Sequence, residues 1–433
     1  MSLAPLADRF AAGFPEQRPA HRTVGRESEY PIVLPDGRAA EVAELWPLLA
    51  RGGDMTMSYE RGVVPIGLDG ERYSFCAEVG RGTIELIVGP AQDLHGIAEA
   101  HAAGMARLLQ ACDEKGFVVL GYGIQPLTPA TPAFMTPKQR YGVLLESIGQ
   151  PWLWFTLTAS DQVHAKVGRD EIVALTNLGN AMAPVTVALC ANSPIYDGID
   201  QGVVSSREAR MGEIHAGTSR HGMPAAPDAD LQGMMARLAN QRLLMLREGE
   251  HNFIPPAGTL LDHLDRIGGT SAPDAWRDFL LHEHYIWNSA RPRSAHGTIE
   301  MRSACQQPLH EGMAAAALGF SLIEAGAAIQ RFLDAELGPD AWGALHAWHK
   351  QVVVHGLAAP EPTSGLLAGV LDRCAAALDA RGRGEAIFLE PLFRRLENRK
   401  NPAQIVQAAF RDGGVPALVR LAGHTAWTDR PTI

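Results

Sequence analysis

The 433-residue sequence is poor in the features that would assign it quickly. Its five cysteines (Cys76, Cys112, Cys190, Cys305 and Cys374) are odd in number, widely spaced and never in a C-x-x-C pattern. That excludes a disulfide framework and a zinc knuckle and fits a reducing cytosol. No Lys/Arg-dense stripe accompanies the formal charge of −10, which argues against a nucleic-acid partner. The run Arg394-Arg395…Arg399-Lys400 is interrupted by Glu397 and reads as a solvated helix face. No long apolar run suits a membrane: the stretch from Gly312 to Leu333 is rich in alanine and carries Glu324 and Gln330. The first residues, Met1-Ser-Leu-Ala-Pro-Leu-Ala-Asp-Arg, lack an apolar leader core, so a cytoplasmic location is expected. Walker A and G-x-G-x-x-G sequences are absent, and Gly121-Tyr-Gly123 is followed by Pro126 instead of a third glycine. His282-Glu-His284 does not have zincin spacing, and no serine or cysteine stands in a nucleophile context.

The patterning that is present divides the chain. Strand signals dominate residues 20–305: Thr23 to Leu34, a hairpin of Tyr73 to Val79 and Thr83 to Gly89, Phe117 to Ile124, and Trp152 to Val167. A helix is expected from Leu94 to Cys112 with Gly116 as its stop, and another over Asp170 to Cys190, bent at Pro184. Residues 306–433 are almost wholly helical in pattern. Strands followed by helices favour an α+β fold over a doubly wound α/β sheet. One domain covering 1–433 is expected. From Ser205 to Asp230 the chain is rich in Arg, His, Gly and Pro without periodicity, which suggests a substrate loop or lid.

Four of the strand-like stretches carry polar or charged residues two positions apart: Glu27/Glu29, Thr83/Glu85, Gln162/His164 and Glu300/Arg302. Residues i and i+2 of a strand share a face. Each pair alone has an ordinary reading, such as a solvated edge strand or a cross-strand ion pair. Four together would gather carboxylates on one concave face, where burial without counter-charge costs several kcal/mol for each (order of magnitude). Divalent cations remove that penalty, and carboxylate oxygens suit Mg²⁺, which travels with nucleotide phosphates.

These residues also fall into an ordered set of motifs. Gly25-Arg-Glu-Ser-Glu29, Glu78-Val-Gly-Arg-Gly-Thr-Ile-Glu85, Leu120-Gly-Tyr-Gly-Ile-Gln-Pro126 and Met135-Thr-Pro-Lys-Gln-Arg-Tyr141 come first. Thr158-Ala-Ser-Asp-Gln-Val-His164, Ala191-Asn-Ser-Pro194, Gly217-Thr-Ser-Arg-His-Gly222, Ile299-Glu-Met-Arg302 and the tail Asn401-Pro-Ala-Gln follow. In that order, over nearly the whole chain, they resemble the glutamate–cysteine ligase family in its plant and proteobacterial branch, among the glutamine synthetase-like carboxylate–amine ligases.

The resemblance implies a curved antiparallel sheet with helices outside and an ATP- and Mg²⁺-dependent synthesis of a γ-glutamyl amide through an acyl phosphate. It implies that Glu27, Glu29, Glu78, Glu85 and Glu300 share the metal, with Gln162 or His164 completing the shell. Arg302 would stabilise the transferring phosphoryl group beside Glu300, Arg220 would hold a carboxylate or phosphate, and Arg140, Tyr141, Asn192 and Arg207 would bind substrate. Cys305 and Gly217 replace aspartates that the family tends to have, and Val163-His164 replaces Val-Asn. These departures surround substrates more than metals, so the acceptor stays open between cysteine and another amine. A non-catalytic nucleotide- or amino-acid-binding regulator is the competing class, and an oligomer is compatible with all of these readings.

Overall fold

Ten strands, all paired antiparallel, make one twisted sheet that runs through the strand-rich part of the chain. The computed structural model describes residues 2–214, 220–249 and 252–424. The strands that matter are β1 (Val24–Val33), β2 (Thr56–Glu60), β3 (Val64–Asp69), β4 (Tyr73–Ala77), β5 (Thr83–Ala91), β6 (Val118–Leu120), β7 (Asp161–Lys166), β8 (Ala290–Arg293) and β9 (Thr298–Met301). Their spatial order is β8-β9-β7-β1-β5-β4-β3-β2, with β6 joining the end of β1. Sequentially distant strands are therefore neighbours at the centre, and residues of the first hundred face residues near 160 and 300.

Register decides which side chains meet. Glu27 lies opposite Gln162, Glu29 opposite Glu85, and Glu300 opposite His164. Cross-strand partners share a face, so Glu27 and Glu29 of β1, Glu85 of β5 and Glu300 of β9 line one side together with Gln162 and His164 of β7. The alternate residues, among them Val24, Leu86, Val88, Val163, Ala165 and Ile299, are buried on the other side. There the helix Ala314–Glu324 packs directly on the sheet: a Cβ on Gly319 would stand 3.2 Å from the Val163 Cβ, so the small residue permits the close approach. Within this apolar layer Arg26 donates two hydrogen bonds to Asp161, at 2.8 and 2.7 Å, and both side chains are fully buried.

The expected α+β layout and the helical C-terminal part are observed. The helix α1 (Leu94–Lys115) begins at an Asp93 cap and ends at Gly116 in the left-handed conformation. Pro184 occupies the first turn of a new helix, α2 (Ala183–Cys190), where a missing N–H is harmless. The expected strand from Trp152 is corrected: Gln150–Thr156 is a 3-10 helix with proline in its first turn, and the strand begins at Asp161. The aromatic residues that suggested a strand instead pack together; Trp152 and Phe155 have ring centroids 4.5 Å apart and roof the acidic face. The supposedly irregular segment after Ser205 opens with a helix, α3 (Ser206–Ile214). Residues 215–219, including Gly217 of the motif, lie outside the described residues. Among the described residues no single helix is long and apolar enough to cross a membrane.

Candidate active site

The acidic face of the sheet forms the floor of a basin of about 970 Å³, its open mouth included. Glu27, Glu29, Glu78, Glu85 and Gln162 line its floor and one side, and Arg140, Tyr141, Trp152, Phe155, Arg207, Trp287 and Arg302 close over it. Two groups of potential metal ligands lie on this sheet face, one lining the basin and the other reaching it through Glu27. Glu29, Glu78 and Glu85 bring ligand atoms within 4.8 Å of one another, and Glu27, His164 and Glu300 do the same. The carboxylates drawn from residues 27 to 300 thus converge, as the strand pattern predicts.

The first group has little counter-charge. Burial pushes the Glu29 carboxyl up to about 8, the Glu78 charge adds to this, and Arg207 only partly opposes it. Glu29 accepts hydrogen bonds from the Ser160 N–H at 2.6 Å and from Gln162 Nε2 at 2.9 Å. Burial, reinforced by Glu27 and Glu78, also raises Glu85 well above the ordinary carboxylate range. Glu29 and Glu85, raised by burial and crowded with Glu78, are what a hard divalent cation relieves, so the residues present fit Mg²⁺.

The second group is already neutralised. Glu300 is buried and accepts from Arg291 Nε at 2.7 Å, from Arg291 Nη2 at 3.1 Å, and from Arg302 Nη1. Although burial opposes it, Arg291 and Arg302 hold the Glu300 carboxyl well below its usual range. Glu27 is likewise lowered despite burial, because His164 Nε2 lies 3.1 Å from its Oε1. The other ring nitrogen of His164 meets the Thr298 hydroxyl at 3.2 Å, which orients the imidazole. Arg302 bridges the two groups by donating to Gln162 Oε1 as well as to Glu300.

Two of the residues singled out in the sequence are not brought to the basin. The Arg220 guanidinium donates to the carbonyl oxygens of Tyr285 and Arg242, and burial lowers its pKa to about 9. Asn192 is fully buried, and its Nδ2 ties the carbonyl oxygens of Gly121 and Gln306 at 2.8 and 2.9 Å. Asn192 and Arg220 therefore brace loops. Cys305 does not line the basin either; its Sγ sits 3.4 Å from Ser193 Oγ and 3.6 Å from Ser205 Oγ.

Other basin residues escaped the sequence reading. Arg291 stands opposite Glu300 in the β8–β9 register and also donates to the carbonyls of His284 and Ile286 at 2.5 and 2.9 Å. Its signal was a charged residue two positions before Arg293, in a stretch too short and proline-broken to read as a strand. Lys138, buried beside the basin, donates to the Ala77 carbonyl at 2.6 Å and approaches Cys76 Sγ at 3.8 Å. Glu208, on α3, offered no periodic or motif signal at all.

The chain matches the model of glutamate–cysteine ligase family 2 over residues 23–420. It is 29% identical to a Thermobifida fusca protein provisionally named glutamate–cysteine ligase 2 over 57% of this chain and 53% of that one. It is 28% identical to a glutamate–cysteine ligase of Halobacterium salinarum over 67% of this chain and 66% of that protein. The matched stretch thus spans between half and two thirds of the length of these relatives. Its fold is shared with the crystal structure of a Francisella tularensis glutamate–cysteine ligase in complex with AMP, with a TM-score of 0.54 at 12% identity. That match covers 94% of this chain and 88% of the other. The chain belongs to glutamate–cysteine ligase family 2.

Proposed function

From that membership we propose that the protein is an ATP- and Mg²⁺-dependent carboxylate–amine ligase that joins the γ-carboxyl of glutamate to an amine, cysteine by default, within one catalytic domain. The observation that carries this reading is the convergence of Glu29, Glu78 and Glu85, uncompensated in charge, beside an arginine-rich flank on the same sheet face. The relatives' names support glutamate and cysteine as substrates, and the AMP-bound structural neighbour supports a nucleotide site.

Glu29, Glu78 and Glu85 would hold one Mg²⁺, with Glu27, His164 and Glu300 as a second position, and the metal would neutralise triphosphate oxygens. The chain's own groups supply positioning and charge. Arg302 shares its guanidinium between Gln162 and Glu300, so it is placed to turn toward a more anionic phosphoryl group without leaving the flank. Arg291 keeps Glu300 fixed while Arg302 is so engaged. Arg140 and Arg207 offer cations to substrate carboxylates, and Arg140 lies against the Tyr141 ring at 5.2 Å. The roof of Trp152, Phe155 and Trp287 limits access of water, which would hydrolyse an activated carboxylate.

The test is glutamate-dependent phosphate release from ATP, with cysteine, alanine, 2-aminobutyrate, ammonia and simple amines as acceptors. Release strongest with cysteine is expected. Release confined to another amine would change the acceptor, and none with any amine would end the ligase reading.

A further inference from the structure

Arg140 and Tyr141 reach the basin from the first turn of the helix Gln139–Ile148, so whatever fixes that turn fixes one wall of the basin. The turn has no cap of its own. Lys138 stands at the capping position, and its side chain carries no oxygen to accept the first N–H groups of the helix. The acceptor comes from 79 residues away: Glu60 Oε1 takes the Gln139 N–H at 3.1 Å. Glu60 is the last residue of β2, the strand at the edge of the sheet. Its carboxylate also meets the positive end of the helix dipole.

The Gln139 side chain ties the same turn to a second element. Its Nε2 donates to Asn252 Oδ1 at 3.0 Å, and its Oε1 accepts from the Phe253 N–H at 3.3 Å. Asn252 and Phe253 belong to a hairpin that pairs Leu246–Glu248 with Asn252–Ile254. Phe253 packs on the apolar cluster that holds Tyr141, Leu144, Trp152 and Trp287. Toward the sheet, Lys138 Nζ donates to the Ala77 carbonyl of β4 at 2.6 Å. Successive residues thus take separate anchors: Lys138 on β4, Gln139 on β2 and the hairpin, which leaves Arg140 and Tyr141 to face the basin. Neither Glu60 nor Gln139 lines the basin, so any part they play in the reaction is indirect.

Resting on the ligase reading above, in which Arg140 offers its cation to a substrate carboxylate, we propose that Glu60 and Gln139 are positioning residues. Together they clasp the start of this helix between the end of β2 and the hairpin, and so set where Arg140 and Tyr141 stand. A loosened turn lets the Arg140 guanidinium move away from the carboxylate it meets, while the acidic floor that serves phosphoryl transfer is untouched. The clasp therefore governs the affinity for one substrate and leaves turnover at saturation unchanged.

The experiment uses the full-length protein with Glu60→Ala, Glu60→Gln and Gln139→Ala. The KM of glutamate is measured through γ-glutamyl hydroxamate formation with hydroxylamine, and the KM of the accepted amine at saturating glutamate. Each alanine variant is expected to raise the same one of these two constants by about 3- to 10-fold, with kcat and the KM of ATP within about twofold. Glu60→Gln keeps an acceptor oxygen for the Gln139 N–H and is expected to stay within about twofold of the unmodified protein. The proposal is overturned by constants that do not move, by all constants rising together, by the two alanine variants moving different constants, or by Glu60→Gln being as impaired as Glu60→Ala. Hydroxamate formation by the unmodified protein tests the ligase reading separately. Should that be absent, hydrogen exchange at the amides of residues 141–144 decides the clasp alone. Exchange about 10-fold faster in both alanine variants supports it, and unchanged exchange overturns it.

Discussion

Glu29, Glu78 and Glu85 on one flank of the basin and Glu300 on the other belong to the same acidic floor, yet their charges are handled in opposite ways. Glu300 is closed in by Arg291 and Arg302 and is held well below the ordinary carboxylate range. The trio shares one partly effective arginine, and Glu29 is pushed up to about 8. The sheet therefore carries one anionic site that the protein has satisfied by itself and one that needs a ligand. On the proposed reading the trio would hold the first Mg²⁺, and Glu300 would be open to a second only where Arg302 gives up part of its contact.

Neutralising one carboxylate on each flank sets the two against each other. Glu300→Gln strands Arg291 and Arg302 without their anion, and breaking a buried pair in this way costs about 3–5 kcal/mol. Glu29→Gln removes repulsion and stabilises the metal-free protein by about 1–2 kcal/mol, while ligase turnover falls by about 10²-fold or more. Urea unfolding in the presence of a chelator measures both, and a shift of the two variants in the same direction would dissolve the distinction. Arg220→Lys sharpens it further, because this buried cation donates to the carbonyl oxygens of Tyr285 and Arg242. A loss of about 1–3 kcal/mol in stability with substrate KM values within about threefold is expected. A large KM effect would return Arg220 to the substrate site.

How much of this was legible follows from what strand periodicity carries. An i, i+2 pattern reports a shared face, so Glu27 with Glu29 and Gln162 with His164 were readable before any coordinates. Register is a long-range property, and no local signal says that Glu29 meets Glu85 or that Glu300 meets His164. Arg291 was lost for a related reason: β8 is four residues long and contains Pro292, which hides the strand that places it. The motif order pointed to the family, but it also suggested binding roles for Asn192 and Arg220, whose side chains turn to backbone carbonyls instead. Trp152 to Phe155 failed because aromatic content signals burial equally well in a strand or in a packed 3-10 turn.

The smallest of the expected effects is a dependence on pH that Glu29 introduces. In the native state Glu29 titrates at about 8 in place of its ordinary 4.5, so between those values the folded protein binds a proton that the unfolded chain has released. Stability of the metal-free protein then falls as pH rises through this window, by at most about 1.4 kcal/mol per pH unit for each such proton. Glu300 works the other way: its lowered pKa gives stability that is present above the unfolded value and lost only as pH drops through the acid range. From pH 6 to 8, therefore, Glu300 contributes no pH dependence. Magnesium ions require the ionised carboxylates, so the rise in melting temperature they cause should grow from pH 6 to pH 8 and should be flattened in Glu29→Gln. Thermal melts with magnesium or chelator at pH 6, 7 and 8 measure it. A magnesium effect equal at all three pH values would mean that the trio is already ionised and that its repulsion is absorbed elsewhere in the basin.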